Sequence, residues 1–220
     1  MPPRTLVPAN MPAYRVTVPA KNGIKLRVLG VDPAVAGATG YGIVEFARPG
    51  AKPTLIRFGA VKLPQRATFA ARLREIHQLI ERLVREFAPD AVAVESVFTA
   101  LNVKTALRLA EMRGVVLLAA AQAQIPAHSY SPREVKASVV GFGGASKQQV
   151  QQMVSSLLGL SVFPEPADAS DALAVALCHA HASRARDRMA AATAIKPVAG
   201  KLQEVMLPSQ AVPPAGLTPA

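Results

Sequence analysis

Four acidic residues stand where they could bind a metal ion and take part in hydrolysis. Asp32 ends one apolar segment and Glu95 ends another, while Asp168 and Asp171 lie three residues apart in a later segment rich in Ala and Leu. A strand that ends in a carboxylate places that group at one end of a sheet, and acids at i and i+3 share one helix face. Four carboxylates brought together would form an oxygen-only site of the kind that binds Mg²⁺ or Mn²⁺.

Each acid alone also has a simple structural explanation. An Asp at the end of a strand is often a turn or capping residue, and Asp168 suits the first turn of a helix, where an acid interacts favourably with the helix dipole. Only the combination of all four acids favours a catalytic site over these explanations.

The overall charge points to a negatively charged partner. The chain of 220 residues contains 25 Lys and Arg against 14 Asp and Glu, which gives a net charge of +11. A basic protein with a magnesium site suggests cleavage of a phosphodiester, because a basic surface attracts nucleic acid. The alternative is a soluble protein that happens to be basic.

Two further features limit where the protein works. Cys178 is the single cysteine, so no disulfide can form within the chain, and a reducing compartment such as the cytoplasm is expected. No apolar segment approaches the roughly 18 residues that a membrane span needs. We therefore expect a cytoplasmic protein with no membrane segment.

The hydrophobic pattern predicts the elements that position the acids. A strand is indicated by apolar and polar residues that alternate, or by a short segment of apolar residues only. A helix is indicated by apolar residues at three- and four-residue steps. The predicted strands are about 26–32, 40–46, 53–62, 91–95 and 126–130, and the predicted helices are about 67–87, 102–123, 132–139, 146–159 and 167–183.

This order predicts an α/β protein with a mixed five-stranded sheet flanked by helices, as in the ribonuclease-H-like arrangement. The first and fourth strands can then be adjacent and parallel, so that Asp32 and Glu95 end side by side and the last helix adds its two acids. Gly37 and Gly40 are interpreted as part of the turn between the first two strands, and Pro49-Gly50 as the next turn.

The ends of the chain have a different composition from the middle. Residues 1–25 are basic and Pro-rich and are predicted to form a flexible arm, residues 26–183 a nuclease domain, and residues 184–220 a disordered Pro-rich tail.

With these residues in view, residues 26–183 resemble the RuvC family of crossover (Holliday) junction endodeoxyribonucleases. Four segments in order carry the resemblance: LGVDPAVAGATGYGIVE, AVESVFTALNVKTALRLAEMRGV, SYSPREVKASVVGFGGASKQQVQQMV and ADASDALAVALCHAH. The chain departs from the family at Ala34, where a glycine is usual, and in a first hairpin that is one residue longer.

The resemblance implies that the four acids are both catalytic residues and metal ligands, with two Mg²⁺ ions, or Mn²⁺, in each site. It also implies an endonuclease that resolves four-way junctions by paired symmetric nicks in DNA recombination and repair. Because the junction has two-fold symmetry, a homodimer with two identical sites is expected. Partnership with the branch-migration proteins RuvA and RuvB is implied by the resemblance alone.

Five residues are candidate DNA contacts. Phe98 follows Glu95 in a loop that contacts unpaired bases in RuvC-like proteins, with Asn102 as a companion, although an aromatic residue there could also belong to the core. Lys136 and Lys147 match basic positions of the family, and Arg133 is a third candidate. A solvated helix face is the alternative for these cations.

Three other interpretations stay open at this point. The same acids would suit a ribonuclease-H-like nuclease that cuts RNA–DNA hybrids or other branched DNA, and a basic surface would suit a catalytically silent junction-binding protein. An actin-like ATPase would need a second phosphate loop and a second domain, for which the chain is too short. The helix at 102–123 offers a broad face of small and aliphatic residues that could pack on the sheet or on a second subunit.

Overall fold

The computed structural model describes residues 25–35, 37–47, 51–62, 64, 66–96 and 102–193. These residues form the elements β1 (Leu26–Asp32), β2 (Thr39–Phe46), β3 (Thr54–Val61), α1 (Phe69–Phe87), β4 (Ala91–Glu95), α2 (Val103–Gln122), β5 (Ala127–Tyr130), α3 (Pro132–Val140), α4 (Lys147–Leu158) and α5 (Ala167–Thr193). The order of strands and helices is the predicted one.

The five strands form one mixed sheet in the order β3-β2-β1-β4-β5. Strands β1, β2 and β3 pair antiparallel, whereas β4 is parallel to both β1 and β5. The predicted pairing of the first and fourth strands is thus confirmed. It follows from the connections, because α1 carries the chain from the edge strand β3 back across the sheet to β4.

Helices cover both faces of the sheet, so the central strands are apolar almost throughout. Every residue of β2 is buried. Val28 and Val44 belong to a core cluster with α3, α4 and α5, whereas Leu29 and Ile43 face a second cluster with α1 and α2. The alternation of side chains along a strand produces these two clusters from consecutive residues.

Side-chain caps define the starts of the first four helices. The N-cap residues are Thr68, Asn102, Ser131 and Ser146, and each side chain accepts a hydrogen bond from the third residue of its helix. Ser131 and Ser146 also form full capping boxes with Glu134 and Gln149. These caps satisfy free N–H groups at the helix ends, which is why the predicted starts lie close to the observed ones.

Glycines on two strands allow α5 to lie directly on the sheet. A Cβ atom at Gly40 would be 1.9 Å from the carbonyl oxygen of Asp168, and one at Gly30 would be 2.1 Å from that of Ala172. Gly40 is paired with Asp32 inside the β1–β2 ladder, so its interpretation as a turn residue is wrong. Glycine is needed at position 40 because the backbone of α5 approaches β2 too closely to leave room for a side chain.

Helix α5 continues beyond its predicted end at residue 183, to Thr193. The added segment contains Ala, Arg and Met but no Gly or Pro, so nothing in it stops a helix. Arg184 lies over the ring of Phe46 at 4.3 Å and donates to the carbonyl oxygen of Ala51 at 3.2 Å, which anchors the extension to the sheet. Residues 184–193 are therefore helical and not part of the predicted tail.

Among the described helices, none combines the length and the apolar character that a membrane crossing would require.

Candidate active site

Asp32 and Glu95 extend from neighbouring parallel strands at the same end of the sheet. Val31 is paired with Val94 in the β1–β4 ladder, so the residues that follow them lie side by side. Their side chains share a hydrogen bond. Two carboxyl groups this close disfavour ionising both at once, so each affects the protonation of the other.

The pKa values of this pair show how unfavourable its negative charge is. The pKa of Asp32 lies well above its ordinary value, first because of burial and then because of the charges of Glu95, Asp171 and Asp168. Burial also raises the pKa of Glu95, although the hydrogen bond from Asp32 and the charges of Lys136 and Lys147 oppose that shift. A bound cation would relieve this repulsion, and such perturbed acids are typical of functional sites.

The second pair of acids comes from the N-terminal turns of α5. Asp168 lies in the first turn, and Asp171 lies one turn further along. Asp171 Oδ2 accepts a hydrogen bond from Lys147 Nζ at 2.7 Å, which links α5 to the start of α4. This hydrogen bond is the main reason why the pKa of Lys147 is raised. The direct seating of α5 on Gly40 holds both acids near the end of β1.

An open cleft adjoins these acids. It has a volume of about 600 Å³, its opening to solvent included, and its charged lining residues are Glu95, Asp171, Lys136 and Lys147. The rest of the wall is apolar and comes from α3, α4 and α5. Acids and cations on one cleft suit a phosphodiester, because the cations attract the phosphate while the acids can hold a metal ion.

The acids share one end of the sheet but do not form a finished coordination sphere. Within the described part of the chain, no three His, Cys, Asp or Glu side chains converge as a metal-binding group. The chemistry of the donors nevertheless fits a hard divalent cation, since the four acids supply only carboxylate oxygens. Asp32 feels the charges of all three other acids, so their negative potential adds up at this point.

The candidate DNA contacts differ in their position relative to the cleft. Lys136 and Lys147 line the cleft, and Arg133 is exposed on α3 nearby. Asn102 has a structural role as well, because its Oδ1 caps α2 by accepting from the N–H of Thr105 at 2.9 Å. Phe98 lies outside the described residues, so its prediction has no structural counterpart.

The residues that sequence reasoning missed are the glycines beneath α5. Gly40 and Gly42 alternate along β2, and Gly42 pairs with Gly30 of β1. Glycines repeated on one face of neighbouring strands indicate a close backbone approach. This pattern could have identified where the acid-bearing helix crosses the sheet.

The sheet order, the acids at the ends of β1 and β4 and the acid-bearing helix across them define a ribonuclease-H-like fold. The yeast mitochondrial Holliday junction resolvase has the same fold, with a TM-score of 0.52 at 16% identity over 74% of this chain and 82% of its own. The model of the family described as crossover junction endodeoxyribonuclease RuvC matches residues 28–179. The chain belongs to the RuvC family.

Individual relatives agree with this assignment. The crossover junction endodeoxyribonuclease RuvC of Syntrophomonas wolfei is 45% identical over 159 residues, which cover 72% of this chain and 91% of the relative. The structure of Thermus thermophilus RuvC in complex with a Holliday junction substrate is 34% identical, with a TM-score of 0.68, and covers 73% of this chain and 96% of its own.

Proposed function

We propose that this protein is a metal-dependent endonuclease that resolves Holliday junctions by paired symmetric nicks during DNA recombination and repair. The observation that carries the proposal is the position of Asp32 and Glu95 side by side at the end of two parallel strands, with Asp168 and Asp171 on the helix packed across them. The activity named for the RuvC relatives, and the junction bound by the Thermus protein, support this substrate.

In this proposal the four acids hold divalent cations, Mg²⁺ in preference and Mn²⁺ as a substitute, with two ions in each site. Cations bound there would lower the pKa of the attacking water and stabilise the leaving oxyanion. Asp32, from the central strand of the sheet, would hold these cations together with Glu95 and the two acids of α5. The raised pKa values of Asp32 and Glu95 would return toward their ordinary range once a cation compensates the charges.

The cations of the cleft would hold the DNA backbone. Lys136 and Lys147 lie in the cleft beside Glu95 and Asp171, and Arg133 would contact a phosphate further along the strand. Phosphate contacts of this kind position the DNA without reading its sequence. Phe98 and Asn102 are proposed to lie near the junction centre, where Phe98 would stack on an unpaired base.

A homodimer would place two such sites on one junction. Helix α2 packs on α1 through its buried side, with Met112 and Val116 in the core, but its other side exposes Val103, Leu107 and Leu118 at 76%, 61% and 52%. Apolar residues on one exposed helix side suit a second copy of the chain, and the two-fold symmetry of the substrate favours that partner. Interaction with RuvA and RuvB remains a proposal from the family alone.

We also propose that the protein works in the cytoplasm. Cys178 is buried beside the carbonyl oxygen of Glu134, and burial raises the pKa of its thiol to about 11. A thiol with so high a pKa is a packing residue and is unreactive at neutral pH. The proposal rests on the cysteine count instead: a single cysteine allows no disulfide within the chain, and structural disulfides are typical of oxidising compartments.

The test is cleavage of a synthetic immobile four-way junction with Mg²⁺, Mn²⁺ or EDTA, beside a linear duplex and an RNA–DNA hybrid. We expect paired symmetric nicks in the junction only, lost with EDTA and with Asp32→Asn. Preferential cutting of the hybrid would assign a different substrate to the same site. Junction binding without cleavage in either metal would contradict the catalytic role.

A further inference from the structure

The loop between α3 and α4 presents a phenylalanine to solvent. Phe142 is 67% exposed, while Phe46 and Phe87 are buried in the core. Its ring is flanked by glycines in the segment Gly141-Phe142-Gly143-Gly144. A phenylalanine ring gains stability when it leaves water, so this exposed ring is available for contact with a ligand.

The loop is held in a fixed shape. Gly141, at a φ of 87°, ends α3, and its N–H donates to the carbonyl oxygen of Ala137 at 2.9 Å. The carbonyl oxygen of Phe142 accepts from the N–H of Ala145 at 3.2 Å, and Ala145 is itself buried. The ring lies so close over Gly144 that a Cβ there would be 2.5 Å from it. The exposed ring is thus positioned before any partner arrives, which lowers the entropy lost on binding.

The loop connects the two helices that supply the cations of the cleft. The side chain of Arg133 lies against Gly143, where a Cβ atom would be 2.6 Å from Arg133 Cγ. Lys136, one turn after Arg133, lines the cleft, and Lys147 begins the helix that follows the loop. The nearby acid Glu134 is engaged in the capping box with Ser131. An exposed ring on the loop between two helices that carry the cations of the cleft suits a nucleotide, whose phosphate and base need both kinds of contact.

We propose that Phe142 packs on a nucleotide of the DNA strand held in the cleft, on the α3–α4 side of the acids. The proposal rests on the proposed function, and it adds an aromatic contact in a different loop from that of Phe98. The ring gives affinity without reading sequence, because each base offers a face on which it can stack. It also fixes the strand on the α3–α4 side of the acids, so Phe142 is a binding and positioning residue.

The chain contains no tryptophan, which allows a direct test of this contact. Phe142→Trp introduces a single fluorophore at the loop, and Met189→Trp introduces one at another exposed position, on α5, about 27 Å along the helix from Asp171. Each variant is titrated with a four-way junction in EDTA, so that no strand is cut. We expect saturable quenching for Phe142→Trp and unchanged emission for Met189→Trp. Equal responses of the two variants would overturn the proposal.

Binding measurements give the second test. Phe142→Ala is expected to weaken junction binding about 5- to 100-fold, while Phe142→Tyr stays within about 2-fold of the parent chain. The slope of log affinity against log salt concentration should not change in Phe142→Ala. Lys136→Met should reduce this slope by about one, because one fewer counterion is released on binding. Circular dichroism confirms that each variant is folded.

The outcomes separate this contact from the proposed function. If the parent chain binds and nicks junctions while Phe142→Ala binds equally tightly, the contact is wrong and the resolvase function stands. If the parent chain neither binds nor nicks a junction, both proposals fail. A smaller salt slope in Phe142→Ala would also contradict the proposal, since it would mean that a cationic contact had been lost.

Discussion

The first turns of α5 and its middle section both place polar side chains against the sheet, but their surroundings differ. In the first turns, Asp168 and Asp171 face the pair formed by Asp32 and Glu95, and the buried hydroxyl of Ser170 has no hydrogen-bond partner within the described residues. In the middle section, the buried ring of His179 receives a partner: its Nδ1 lies 2.8 Å from the hydroxyl of Tyr130.

Burial has opposite effects on the pKa of Asp32, the β1 acid that the first turns of α5 face, and on the pKa of His179 in the middle section. Burial raises the pKa of Asp32, whereas burial, then His128 and Arg186, lowers the pKa of His179 to about 4. Both shifts favour the neutral form. The histidine is stable when neutral and bonded to Tyr130, but the acids need their charge to bind a cation. The four acids therefore keep a mutual repulsion that a bound cation would relieve, as expected of a functional site.

The largest effect is expected from Asp32→Asn. We expect junction cleavage to fall by about 10²–10³-fold or more, because the variant loses a charged metal ligand and its transition-state stabilisation. The free energy of unfolding should stay level or rise by up to about 2 kcal/mol in EDTA, since one buried repulsive charge is gone. Nicking assays and thermal unfolding of the same preparations measure both quantities. If Asp32→Asn lost both activity and much of its stability, Asp32 would contribute to the fold, and the contrast with His179 would be wrong.

Gly30→Ala tests the contact that seats α5 on the sheet. The new Cβ would be 2.1 Å from the carbonyl oxygen of Ala172, so the helix must move and stability should fall by roughly 1–3 kcal/mol. Because the acids move with the helix, cleavage should fall as well. Chemical denaturation and nicking measure the two losses.

Gly114→Ala is the matched control for that substitution. Gly114 lies inside α2, where a Cβ atom would meet no other atom within 4 Å, so alanine should stabilise the helix by up to about 1 kcal/mol. If Gly30→Ala and Gly114→Ala changed the free energy of unfolding in the same direction, close packing at Gly30 would not be what positions α5.

His179 should make stability depend on pH in the acidic range. Its folded pKa of about 4 lies below the ordinary value of 6.5, so the unfolded chain binds more protons between these values. Stability is therefore fully present above about pH 6.5 and is lost as pH falls toward 4, by roughly 3 kcal/mol in total. Unfolding of the parent chain and of His179→Gln across this range measures the difference. Equal pH slopes would contradict the role of His179; His128, whose pKa is lowered as well, contributes to the slope that remains.

The strands and their acids could be predicted from sequence because both signals are local. The apolar runs that end in Asp32 and Glu95 mark β1 and β4, and apolar residues at three- and four-residue steps mark the helices. The role of Gly40 could not be predicted in the same way, because a glycine near a turn and a glycine under a helix look alike until the partner element is known. The extent of α5 depends on tertiary contacts too, since Arg184 anchors it to β2 and to the segment before β3.

The side-chain contacts of the site were even harder to predict from the sequence. Sequence placed the acids at one end of the sheet, but the effect of Asp32 and Glu95 on each other's pKa depends on the register of β1 against β4. The pairing of Lys147 with Asp171 likewise depends on how α4 packs on α5. Such contacts follow from the way whole elements pack together, which no local pattern contains.

The smallest effect on stability, and a clear effect on function, is expected from Lys147→Met. The ammonium group binds Asp171 at 2.7 Å, but the lysine side chain is 59% exposed, so solvent screening limits its contribution to stability to about 0–1 kcal/mol. In the cleft the same charge would contact the DNA phosphate, and its loss should slow cleavage roughly 10-fold or more and weaken the salt dependence of binding. The control is Lys52→Met, since Lys52 is exposed and lies just before β3 at the far edge of the sheet. This substitution should change neither the cleavage rate nor the salt dependence of binding. If Lys147→Met destabilised the fold as strongly as Gly30→Ala, Lys147 would belong to the structural contacts of α5 and not to the cleft that receives DNA.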